Sequence, residues 1–326
     1  MINRRTFIGV SSALLAGASV PSLLNSQTRY SGQLISSISS GAIGERLAKD
    51  SLDIMSDQFE LDYRLNIIET RESRDASIAV KTAPADGSTL LQTHSGPMVL
   101  FPATYRQLDY DPLDDFTPLA LMGDYSFALS LGSVVPASVR SLDSYLSWVD
   151  DNPGFRDIGF SLYGSHSHLA SMILSRSKEV ALRPQPYKSV RSLISDMNSA
   201  TIAAGVTMSG NVALLGDSRT RPIAVTGRQR IEAWPEVATF FEQGVQDMDI
   251  GGWFGWFAPA HMPESNVREL GERIGNMQAT AAFGELQRQL MLTQVALPPA
   301  QIRERISSEM QNYRKLVKTY GISQLG

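Results

Sequence analysis

Residues 31–55 read SGQLISSISSGAIGERLAKDSLDIM. A short apolar run gives way to a Ser/Gly turn, and then Leu47, Leu52 and Met55 recur at helical spacing. The pattern predicts a strand, a turn at Gly41 and a helix. FELDYRLNIIET (59–70) predicts a second strand. ASIAVKTAPADGSTLLQTHSG (76–96) predicts a helix, a Pro/Asp/Gly turn and a third strand ending at His94. Such alternation is a strong constraint, because helices between successive strands cover the sheet and leave a largely parallel α/β sandwich. It also places the loops after the strands at one edge, where ligands bind in such sheets.

The middle of the chain continues in the same style. YSFALSLGS and RPIAVTG predict crossovers between two lobes, with hinges near 126–130 and 224–227. Between them lie a helix in SLDSYLSWVDDNPG, a strand in DIGFS, a helix in SHLASMILSRSKE, another in SVRSLISDMNS and a strand in TIAAGVTM. The last third is mostly helical. The expected division is a first lobe of 27–128 with 228–326, and a second lobe of 129–227.

Of the 326 residues none is cysteine, which excludes disulfides, thiolate metal sites and cysteine nucleophiles. Net charge is −4 and no long basic run occurs, which argues against nucleic-acid binding. The first 26 residues place Arg4 and Arg5 before a moderately apolar stretch, and no acidic residue precedes Glu45. That layout predicts an export signal over 1–26, close to the twin-arginine pattern in NRRTFIG. The expected location is the periplasm, with no later span long enough for a membrane.

Several segments, in order, resemble one family. GSHSHLA, PYKSVRSLISDM, RPIAVTGRQRIEAWPEVATFFEQG and GWFGWFAPAHMP look like the extracytoplasmic solute receptors of tripartite tricarboxylate transporters, the Bug family. APADGSTLLQTHSG and LDYDPLDDFTPLAL fit the same pattern upstream. The resemblance implies a periplasmic binding protein of type 2, with two lobes of mixed sheet and flanking helices joined by two crossover strands. It also implies a monomer without cofactor that closes on a small organic carboxylate and delivers it to membrane transporter subunits. A sensor ectodomain as partner is the alternative of a different class. Two segments depart from the family. SISSGAIGER stands where a Pro-Gly-Gly-x-x-Asp loop is usual, and ETRESRDAS where a Gly-rich run is usual.

The candidate ligand residues are loop residues. GFSLYGSHSHL (159–169) enters a helix, whose N-terminus offers unpaired N–H groups to an anion. Gly164, Ser165, His166, Ser167 and His168 are candidates there. A metal site is not expected, because His166 and His168 at a helix start diverge by roughly 200°. A serine hydrolase is not expected either, since no G-x-S-x-G elbow exists. The remaining candidates are Ser39, Ser40 and Gly41 after the first strand; His94, Ser95 and Gly96 after the third; Thr207, Ser209 and Asn211 in GVTMSGNV; and Trp253 in GGWFGWFAP. Lys188 is read as a surface or interlobe charge. The expected ligand is held mostly by neutral donors.

Overall fold

The computed structural model describes residues 30–326 apart from 39, 60, 71, 72, 179, 180 and 218. The expected export signal and Ser39 lie outside the described residues.

The first three strands are β1 (Tyr30–Ser36), β2 (Leu61–Ile67) and β3 (Thr89–His94), linked by α1 (Ile43–Phe59) and α2 (Arg74–Lys81). They lie parallel in the order β2-β1-β3. Helix α1 buries Ile43, Leu47, Ser51 and Met55, a stripe spaced four residues apart. After β3 a buried π-turn, Gly96–Leu100, runs into the short α3 (Phe101–Thr104).

Next comes β4 (Phe116–Leu131), a strand of 16 residues. It is followed by α4 (Leu142–Asp151), β5 (Asp157–Ser161), α5 (His166–Ser177) and β6 (Arg183–Tyr187). Then come α6 (Val190–Asn198), β7 (Ala204–Met208), α7 (Ser209–Leu215) and β8 (Arg221–Val225). The chain ends with β9 (Gly251–Pro259), α8 (Glu264–Gln278), α9 (Ala281–Gln289) and α10 (Pro299–Thr319).

Strand β4 is what joins the lobes. Its first part, Phe116–Ser126, pairs antiparallel with β9, which pairs with β3. Its last residues pair with β7 on one side and β8 on the other. The order β2-β1-β3-β9-β4-β7-β5-β6 therefore runs through both lobes. The fold is a mixed α/β structure of two lobes, and it is less parallel than the alternation predicts, because β4 and β9 run antiparallel to their neighbours. The sequence reading begins this crossover only at Tyr125, whereas the strand starts at Phe116 and runs through Pro118 and Gly123. Both sit at register shifts against β9, where a bulge absorbs them.

The second crossover lies beside the first. Thr226 N donates to Phe127 O at 2.8 Å, and Phe127 N donates to Thr226 Oγ1 at 2.9 Å. Beyond it the chain does not return at once to the first lobe. Ile231, Trp234 and Val237 pack on Ala128 and Val225. Gln243 donates to Ile223 O and accepts from Leu142 N at the start of α4. Residues just past the expected limit at 227 thus pack on the second crossover and bond the start of α4.

Helix α10 carries the longest apolar stripe. Ile302, Ile306, Met310, Tyr313 and Val317 are buried at steps of four, four, three and four residues. Each buried aliphatic side chain there contributes roughly 1.5–3 kcal/mol. The stripe packs on β4 and the π-turn and carries Tyr313 to the cleft between the lobes.

Candidate functional site

A cavity of about 400 Å³ lies where the strand ends of the two lobes meet. The first lobe supplies Ser37, Ile43 and Gly44 from the β1–α1 connection, Glu69 and Ser73 from β2–α2, and His94 from the end of β3. The second supplies Ser161, Ser165, His166 and Ser167 from β5–α5, Lys188 and Ser189 from β6–α6, and Thr207 and Asn211 from β7–α7. Phe127, at the crossover, is the aromatic wall between them.

The β5–α5 connection is the most ordered polar element. Leu162 and Gly164 both adopt positive φ, which turns the chain sharply into α5. Ser165 is the N-cap: its Oγ accepts from His168 N at 3.3 Å and donates to Ser161 O at 3.0 Å. Ser167 Oγ lies 2.9 Å from Ser165 Oγ. The N–H groups of His166 and Ser167, in the first turn, have no helical carbonyl to bond. Together with the helix dipole they favour an anion at this end.

His166 is 2% exposed, and its Nε2 has no hydrogen-bond partner. Its ring stacks on Phe127 at 5.8 Å and meets the edge of Tyr313 at 4.7 Å. Burial, with the charge of His94 as a second cause, pushes its pKa down to about 3. His94 is 9% exposed, and burial lowers it to about 4. Its Nδ1 accepts from Gly96 N at 3.1 Å, so the neutral ring carries its proton on Nε2. A Cβ at Gly96 would sit 2.7 Å from this ring, so only glycine leaves room for it. Two neutral imidazoles, one from each lobe, thus line one space.

The two lobes also touch around it. Ile43 N, at the start of α1, donates to Asn211 Oδ1 at 3.0 Å. Thr104 Oγ1 donates to Gly164 O at 3.4 Å. These bonds bridge the two sides beside the cavity.

The tripartite tricarboxylate transporter family receptor matches residues 66–322. The chain belongs to this receptor family. It is similar to a UPF0065 protein from the tcbD-tcbE intergenic region of Pseudomonas sp. (strain P51), 28% identical over 258 residues that cover 75% of this chain and 72% of that one. Protein BugT of Bordetella pertussis is 24% identical and covers 74% of each chain. Among solved structures, an R. palustris protein with adipate superposes at a TM-score of 0.83 and 23% identity, covering 90% of this chain and 99% of that one. MatC from Rhodopseudomonas palustris, with bound malate, gives a TM-score of 0.79 at 19% identity, over 88% of this chain and 99% of that one.

Within this family frame the expected site residues divide. His94, Ser165, His166, Ser167, Thr207 and Asn211 line the cavity. The other described candidates do not, each for a physical reason. Ser40 N donates to Glu69 Oε1 at 2.9 Å, and Gly41 N donates to the Glu45 carboxylate, so the N–H groups of that loop are spent. Ser95 is fully buried and faces the Tyr125 hydroxyl at 3.4 Å. Gly96 shapes the His94 ring instead of a ligand. Gly164 packs on Thr104 and Leu325, and His168 stacks on Phe160 at 4.6 Å while its Nδ1 accepts from Gly164 N. Ser209 starts α7 with its hydroxyl buried and unpartnered, but outside the cavity lining. Trp253, expected in the cleft, is 0% exposed and donates its indole N–H to Glu309 Oε2 at 2.9 Å.

Phe127, Glu69 and Lys188 are among the lining residues that the sequence reading did not choose. Phe127 lies inside the hinge segment, where an aromatic reads as ordinary strand. Glu69 and Lys188 are exposed and flanked by polar residues, so only their position after a strand marks them. Among the described residues no cluster of three or more His, Cys, Asp and Glu side chains is placed to hold a metal. None has a helix long and apolar enough to cross a membrane. The Ser165 hydroxyl bonds Ser161, Ser167 and the His168 backbone, and none of these is an imidazole that could act as its base.

Proposed function

We propose that this chain is an exported, periplasmic receptor that holds a small organic carboxylate between its lobes and passes it to a tripartite membrane transporter. It works by binding and release, without turnover. The observation that carries the reading is the Ser165-capped start of α5, which meets the cavity beside the unpartnered Nε2 of buried His166. That end of the helix favours negative charge, and the imidazole offers a hydrogen bond that no protein group uses. The volume suits a molecule of a few carbons. The adipate and malate bound by the two R. palustris proteins of the same fold are both dicarboxylates, which supports this class.

The candidate contacts are His94, Ser165, His166, Ser167, Thr207 and Asn211, with Phe127 against the carbon chain. Closure would bend the paired crossovers at Phe127 and Thr226. The test is thermal unfolding and calorimetry with succinate, malate, adipate, citrate, glutamate and benzoate. A cognate solute at a hundredfold above its Kd stabilises by roughly 2.7 kcal/mol, which is on the order of 5 °C for a chain of this size. Failure of every carboxylate to bind overturns the reading.

A further inference from the structure

His94 ends β3 in the first lobe, and His166 opens α5 in the second. Among the described residues, the charged side chains that line the cavity are exposed, and those on α10 behind it are engaged. Glu69 and Lys188 line the cavity but are exposed, and their charges are opposite. On α10, Arg305 binds Glu309 at 2.7 Å and Asp124 of β4 at 3.0 Å. Glu309 also accepts from Trp253, behind the Tyr313 ring that touches His166. Tyr125 is turned to Ser95, while Tyr163 and Tyr187 line the outer part of the second lobe. Among the described residues, the inner cavity therefore offers a carboxylate two imidazoles and a helix end, and no fixed cation.

That is a poor exchange for an anion. Leaving water costs an ion more than a helix N-terminus returns. A proton arriving with the solute removes the imbalance. Resting on the receptor reading above, we propose that His94 and His166 determine what the site accepts: a carboxylate that enters between them is bound together with one proton from solution. The proton taken from solution goes to an imidazole nitrogen or to the carboxyl group, and in either case one N–H···O or O–H···N bond forms and the charge of the carboxylate held between the rings is compensated. The empty site is neutral because burial holds both rings well below their ordinary range, at about 4 and about 3. A carboxylate against them reverses that bias, since an opposite charge within ~4–6 Å favours the charged imidazole.

The experiment is calorimetric titration of the purified protein with adipate and with malate from about pH 6.5 to about pH 8.0, in buffers of different ionisation enthalpy. Both probes are fully ionised in that range, so any proton taken up goes to the site. Affinity should fall as pH rises, approaching tenfold per pH unit, with close to one proton taken up per solute at the acid end. H166N and H94N should flatten the slope. Affinity that is the same across the range, with no proton uptake, overturns the inference and leaves the receptor reading intact. Absence of binding by any carboxylate at any pH overturns both. The pH dependence of the unaltered protein decides the matter even if a variant does not fold.

Discussion

The two strand-end loops that face each other across the cavity use their backbone in opposite ways. In the first lobe, the β1–α1 loop turns its N–H groups inward on the protein itself. Glu69 takes Ser40 N, Glu45 takes Gly41 N, and Asn211 takes Ile43 N. In the second lobe, the β5–α5 loop is capped only by Ser165 and leaves its first helical turn and the Nε2 of His166 for something else. Both of the first lobe's departures from the usual family pattern meet in this one place, because Glu69 belongs to the altered β2–α2 segment and Ser40 to the altered β1–α1 loop. On the proposed receptor reading, most donors to the solute then come from the second lobe, and the first contributes chiefly His94.

The largest consequence concerns stability in acid. Burial pushes His94 and His168 down to about 4 and His166 to about 3. The folded protein keeps these rings neutral, while the unfolded chain takes up protons below about pH 6.5. Unfolded chains then bind more protons, so stability is fully present above that pH and falls as pH drops toward 4 and below. Each ring contributes a slope of about 1.4 kcal/mol per pH unit within its window. Urea unfolding from pH 7 to pH 4.5 should show a steep loss. Two of the three rings sit on α5, so H168N together with His166→Leu should flatten the profile more than H94N. An equal effect of the two lobes would break the asymmetry.

Much of the second-lobe loop was legible. DIGFS gives β5, Ser165 gives the cap, and the glycine before it gives the turn, because strand pattern, cap chemistry and positive φ are all local. What was not legible is which way each residue faces. His166 and His168 differ by two positions, yet one lines the cavity and the other stacks on Phe160. Ser95 and Trp253 carry suitable chemistry, but β3 and β9 are buried on both faces and no alternation marks the side toward the cleft. Lys188 reads as surface in any helix or strand pattern. It reaches the cavity only because β6 brings the start of α6 to the same edge as α5.

The second-largest effect isolates the open loop. His166→Leu replaces a buried imidazole whose Nε2 is unpartnered by an apolar group of similar size. Removing an unsatisfied polar atom is neutral or stabilising by about 1 kcal/mol. If the same atom holds the solute, affinity falls about a hundredfold while the empty protein melts no lower. Calorimetry and thermal unfolding of the one variant give both numbers. A fall in stability without a loss of affinity would mean that His166 is a packing residue and that recognition lies in the first lobe after all.

The smallest effect tests the closed loop. Glu69→Gln keeps the acceptor for Ser40 N and removes the charge at the cavity rim. The residue is exposed, so water screens its charge and the effect on an incoming carboxylate is weak. Affinity for a dicarboxylate should rise by about threefold at low salt, and the gain should fade as salt approaches physiological strength. The sign is informative. Tighter carboxylate binding is what a rim anion opposing the solute predicts. Weaker binding, persisting in salt, would mean that Glu69 meets a positive group on the solute, and the comparison between the lobes would then turn into a division of labour: an amine read by the first lobe and a carboxylate by the second.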